Sequence, residues 1–139
     1  MTIPFWCLLG FAGWTVALLL SIGAARTIPV LQGRARASEF TPGVPHGSDR
    51  YWRLNRAHLN CLENLPIFAV LVFLAQFTGV AGPTMDNLAR AVLAARVGQS
   101  LTHIASGSDT AVLIRFSFFG VQVIAFVWMG LQLATRSGS

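Results

Sequence analysis

From Pro4 to Ala25 the chain runs for 22 residues without a charged side chain. As a helix rising about 1.5 Å per residue, such a run crosses a hydrocarbon core of about 30 Å. Lipid offers no hydrogen bonds, so a spanning segment must satisfy its own backbone, and a helix does so. The run has no positive region before it and exceeds the apolar core of a signal peptide. It therefore reads as a retained span rather than a cleaved leader. Arg26 ends the uncharged stretch, but the helical pattern continues past Pro29 to Arg34-Ala35-Arg36, with Pro29 as a kink. The first helix is expected over about residues 4–36.

The remainder repeats this logic. Residues 37–52 form a connector, with turn formers concentrated in Thr41-Pro42-Gly43-Val44-Pro45-His46-Gly47-Ser48. Further helices are expected over about 53–78, 85–105 and 111–135, with Thr84 or Asp86 capping the third. The apolar runs have helical length and do not alternate, which excludes a membrane β-barrel. The predicted fold class is an all-α integral membrane protein, a single domain over residues 1–139 built as a four-transmembrane-helix bundle. Composition agrees. Apolar residues make up 54% and charged residues 11% of the chain, where a soluble domain carries about a quarter charged.

The third helix is the exception, because it contains Asp86, Arg90 and Arg96. Arg96, Gln99 and His103 fall at i, i+3 and i+7 and share one face. This suits a helix lining a polar interior, although an interfacial helix is also compatible with its polarity.

The net charge of +5 comes from arginine alone. Because these arginines border or interrupt apolar runs, they read as an orientation signal, and no nucleic-acid partner is expected. Arg26, Arg34, Arg36, Arg50, Arg53 and Arg56 flank the first connector. The positive-inside rule puts that connector in the cytoplasm and both termini outside; the membrane expected is a bacterial inner membrane. Arg34, Arg56, Asn60, Glu63, His103 and Arg115 then lie near one depth, in the cytoplasmic third of the bilayer.

Ionisable groups at that depth are functional candidates, since they are costly unless they face protein or a wet cavity. Arg56, Asn60 and Glu63 occur at i, i+4 and i+7, within roughly 60° of one another on a helix. Arg115, Phe119 and Gln122 repeat that spacing on the fourth helix. Arginine forks match carboxylates, and Glu63 can hold an ammonium group. A zwitterionic, multiply carboxylated small molecule fits such a set. An internal pair between Glu63 and Arg56 or Arg96 explains the carboxylate equally well. His46, His58 and His103 lack metal-ligand spacing, so no metal is expected. No nucleotide fingerprint or catalytic triad signature is present.

The stretch Arg56-Ala57-His58-Leu59-Asn60-Cys61-Leu62-Glu63-Asn64-Leu65-Pro66 resembles the signature of the MAPEG family, the membrane-associated proteins in eicosanoid and glutathione metabolism. Arg34-Ala35-Arg36 followed by Phe40, Arg96-Val97-Gly98-Gln99 through His103, and Arg115 with Phe119 resemble its first-, third- and fourth-helix patterns. The resemblance implies a homotrimer with a glutathione site between subunits. By position it implies glutathione contacts from Arg34, Arg56, Asn60, Glu63, Arg96, Gln99 and His103, with Arg115 as the catalytic group near the thiol. Gln99 stands where the pattern has histidine or tyrosine, His103 where tyrosine is common, and Phe119 lacks the hydroxyl of some members. The implied function is a glutathione-dependent transferase or peroxidase acting on a lipophilic small-molecule substrate among membrane lipids. The alternative is a non-catalytic protein holding a lipid or small molecule in the same cavity.

The orientation has a direct test. A cysteine introduced at Val44 is expected to react with impermeant maleimide only from the cytoplasmic face, and labelling from outside would invert the topology.

Overall fold

A computed structural model describes residues 1–136. Four long helices account for most of them: α1 (Ile3–Leu31), α2 (Asp49–Thr78), α3 (Pro83–Ala105) and α4 (Asp109–Arg136). A single 3-10 turn, Ala37–Glu39, interrupts the connector between α1 and α2. No strand occurs among the described residues.

The helix ends follow from local chemistry. Pro4 sits in the first turn of α1, where a missing N–H costs nothing. The helix passes through Pro29 but stops at Leu31, short of the expected residue 36. The stop is a Schellman motif. Gly33 adopts φ of +68°, its N–H donates to the Val30 carbonyl at 3.0 Å, and Arg34 N–H donates to the Pro29 carbonyl at 2.9 Å. The left-handed glycine thus ends the helix, and Arg34 lies beyond it.

Helix α2 starts at Asp49, four residues before the expected 53. Ser48 is the reason: its Oγ accepts the Tyr51 N–H at 3.2 Å, and Asp49 complements the positive end of the helix dipole. The helix continues through Pro66 and ends at Gly79 in the left-handed region. The expected cap of α3 at Thr84 or Asp86 is replaced by Gly82, with Pro83 in the first turn. On α4, Ser108 Oγ accepts the Ala111 N–H at 3.2 Å.

Helices α1, α2 and α4 are long and apolar enough to cross a membrane; α3 does not meet that standard. Its position compensates. Helix α3 packs against all three of the others, most extensively against α4, whereas α1 and α4 do not meet. The core seam joins Phe11 of α1, Cys61 and Phe68 of α2, Ala89 and Val92 of α3, and Ala125 and Met129 of α4. Large apolar side chains such as Leu20, Phe77 and Ile124 point outward from the three spans. That is the expected surface where the solvent is lipid.

Close approach of α3 and α4 depends on Gly98, because a β-carbon there would stand 2.7 Å from Cζ of Phe118. Gly98→Val is expected to destabilise the bundle by about 1–3 kcal/mol through overpacking, read as a lower Tm in detergent. Gly23→Ala, which meets nothing within 4 Å, is the matched control and is expected to leave Tm unchanged or raise it.

Candidate functional site

Three helices each bring one turn of polar or aromatic side chains to a common cleft of about 520 Å³. It is lined by Arg56 and Asn60 of α2, Gln99 and His103 of α3, and Val112, Arg115, Phe116 and Phe119 of α4. Arg56 with Asn60, Gln99 with His103, and Arg115 with Phe119 are all spaced i, i+4. Each pair therefore stacks on one helix face, and the packing of α3 between α2 and α4 turns the three faces toward one space.

Hydrogen bonds hold this frame. Asn60 Nδ2 lies 3.5 Å from His103 Nδ1 and links α2 to α3. With Asn60 as donor, the imidazole keeps its proton on Nε2. Arg53 Nε donates to the Ile104 carbonyl at 3.2 Å, placing a cation at the carbonyl-rich end of α3. Gln122 Nε2 donates to Gln99 Oε1 at 3.0 Å and links α3 to α4. The lining contains two guanidinium groups and no carboxylate. An anion that accepts hydrogen bonds is its complement.

Five of the eight sequence-selected residues thus share one space: Arg56, Asn60, Gln99, His103 and Arg115. The other three lie elsewhere in the protomer. Arg34, past the end of α1, is exposed and donates through Nη2 to Gln32 Oε1. Glu63 is exposed on α2, outside the cleft lining. Arg96 is 1% exposed, its guanidinium carbon 5.6 Å from the Phe11 ring centroid, and its Nε and Nη2 have no hydrogen-bond partner among the described residues. Arg96 and Gln99 share a helix face only broadly, and the seam with α1 claims one while the cleft claims the other.

Sequence reasoning named Gln122 only as part of the Arg115 stripe and Arg53 only as an orientation arginine, and it gave Val112 and Phe116 no role in the site. The first stood at i+7 from Arg115 and was visible as part of that stripe. The bond from Arg53 to the end of α3 spans 51 residues, and no local pattern carries it. Among the described residues no group of three histidine, cysteine, aspartate or glutamate side chains is placed to hold a metal.

The model of the MAPEG family matches residues 3–135. None of the curated proteins matches the chain.

The burial of Arg96 generates a prediction that separates it from the cleft residues. A buried charge without a full set of partners costs stability through desolvation, and an apolar side chain of similar length avoids that cost. Arg96→Met is therefore expected to hold or raise Tm and to leave ligand affinity within about twofold. A large loss of affinity in a protein of unchanged Tm would return Arg96 to the ligand site.

Proposed function

The chain belongs to the MAPEG family, and from that premise we propose that it is a membrane-bound, glutathione-dependent transferase or peroxidase. One observation carries the reading: Arg56, Gln99 and Arg115, from three different helices, surround one cleft that has no carboxylate in its lining. That donor set fits a tripeptide with two ionised carboxylates. Glutathione held there would supply a sulfur nucleophile: its thiolate would bond to an electrophilic carbon as that carbon's π bond or leaving-group bond breaks, or would take the terminal oxygen of a hydroperoxide as the O–O bond breaks and the alcohol leaves, the sulfur being oxidised as the peroxide is reduced.

The chain's own residues then have separable roles. Arg56 and Gln99 bind and orient the anion, and Asn60 keeps His103 in place through the 3.5 Å contact. Arg115 holds its positive charge beside the thiol, which favours the thiolate, the reactive form. Arg115 stands next to Phe116, and Phe119 follows one turn on. These rings exclude water and offer an apolar approach for a lipophilic substrate arriving from the membrane. Low local polarity also strengthens the effect of the guanidinium on the sulfur.

The site is completed by a second copy of the chain. Glu63 and Arg56 are exposed in the single protomer, on a helix apolar enough to span the bilayer. A carboxylate facing lipid at that depth is too costly to persist, and a neighbouring subunit removes the cost. A homotrimer that brings Glu63 and the exposed Arg34 against a neighbour's cleft accounts for both residues. The same assembly sits in the inner membrane with the 37–52 connector cytoplasmic. The arginines at that end are consistent with this, and Arg26 is tied down there by its 2.6 Å bond to the Tyr51 hydroxyl.

A second reading is favoured by a specific feature. The cleft lining has no hydroxyl or thiol side chain of its own, so the protein can hold a glutathione-like ligand without turning it over. Titration of the detergent-solubilised protein separates the two. Under the enzymatic reading, glutathione binding produces ultraviolet thiolate absorbance. Arg115→Ala abolishes that absorbance and lowers turnover by ~100-fold or more, the scale of losing one preorganised charge partner. Binding without thiolate supports the non-catalytic reading, and no binding to a folded oligomer rejects glutathione altogether.

A further inference from the structure

Gln122 is 0% exposed, and its amide nitrogen makes two bonds. Nε2 donates to the Phe118 carbonyl at 3.1 Å and to Gln99 Oε1 at 3.0 Å. A backbone carbonyl can only accept, so the Gln122 atom facing it must be nitrogen. The two ends of an amide are otherwise hard to tell apart, and this backbone contact removes the ambiguity. A nitrogen at that position offers only hydrogens, so the Gln99 atom facing it must be the carbonyl oxygen. Gln122 Oε1 is buried without a hydrogen-bond partner among the described residues. Reversing Gln122 would set its oxygen against both the Phe118 carbonyl oxygen and Gln99 Oε1, so the unpaired acceptor is tolerated.

The amide of Gln99 is planar, and its two ends diverge. With Oε1 held by Gln122, the NH2 is the end turned away from α4's buried face. Gln99 is 8% exposed and lines the cleft. We propose that Gln122 is a positioning residue that fixes Gln99 with its NH2 toward the cleft, making Gln99 a dedicated donor to a ligand carboxylate. Gln122 itself does not touch the ligand. The consequence is chemical selectivity. A freely rotating glutamine accepts or donates as the ligand requires, whereas a locked one rejects a donor and welcomes an acceptor. Arg56, Gln99 and Arg115 then form three donor groups, one on each of α2, α3 and α4, that share this preference.

The carboxylate assignment rests on the glutathione reading above; the amide orientation does not. The chain has five glutamines, at 32, 76, 99, 122 and 132. Selective ¹⁵N-glutamine labelling of the full-length protein in detergent therefore gives five side-chain NH2 pairs, with Gln122→Met and Gln99→Met assigning the two of interest. In the ligand-free protein the Gln122 pair is expected to exchange slowly with solvent and the Gln99 pair quickly. Saturating glutathione is expected to shift and protect the Gln99 pair. Gln122→Met is expected to weaken glutathione binding about 3- to 10-fold, the effect of one modest hydrogen bond made adaptable, while Gln132→Met leaves it unchanged. Slow exchange at Gln99 in the free protein overturns the positioning role, as does unchanged affinity in Gln122→Met. If the free-state exchange pattern is as expected but glutathione perturbs nothing, the glutathione reading fails and the carboxylate assignment falls with it. The amide orientation then stands on its own.

Discussion

Helix α3 is too polar to face lipid, and the arrangement of the other three helices answers that constraint. It carries Asp86, Arg90, Arg96, Gln99 and His103. A charged or amide group exposed to hydrocarbon costs several kcal/mol. Packing α3 against α1, α2 and α4 buries Arg96 and Gln99 and half-buries Asp86 and His103, leaving Arg90 exposed, while the three apolar helices present their leucine, valine and phenylalanine side chains outward. The polar helix, like α2, packs against all three of its neighbours, which limits the surface it leaves to lipid.

With α3 packed in this way, its two polar faces meet different neighbours. Toward α1 and α2 the space is filled: Phe11 lies under the Arg96 guanidinium, and Cys61 Sγ approaches Ser100 Oγ at 3.6 Å. Contact with an aromatic face offsets part of the desolvation of such a cation. Toward α2 and α4, nearer the connector end, the space stays open, and it becomes the cleft. The same helix thus contributes a buried guanidinium and, one turn later, an amide that lines the cleft. Three residues of spacing decide between the two fates.

The cleft's character comes from what is missing as much as from what is present. It has no carboxylate to neutralise Arg56 and Arg115 from within. Side chains around it are held by contacts that lie outside it, with Arg53 on the Ile104 carbonyl and Gln122 on Gln99. This division, between groups that face the cleft and groups behind them that set their orientation, is what gives short polar side chains a defined geometry. Glu63 and Arg34, exposed in the single protomer, lie outside the cleft lining.

Much of this was legible in the sequence, for physical reasons. Uncharged runs of spanning length leave a chain few options but membrane helices, and i, i+4 spacing puts residues on one face in any α-helix. The Arg56–Asn60 pair, the Gln99–His103 pair and Arg115 were therefore visible before any tertiary contact was known. Helix ends were less legible. Pro29 looked like the perturbation, yet Gly33 ended α1, since a left-handed turn with two backbone bonds outweighs a proline that the helix can absorb. Arg96 could not be separated from Gln99 by sequence, because the two are one turn apart, and only the approach of Phe11 from α1 fixed which was enclosed. Local periodicity by itself determined the helices and their polar stripes. Which stripe met protein and which met open space was decided by packing between elements far apart in the chain, and that information lies in no single stretch of residues.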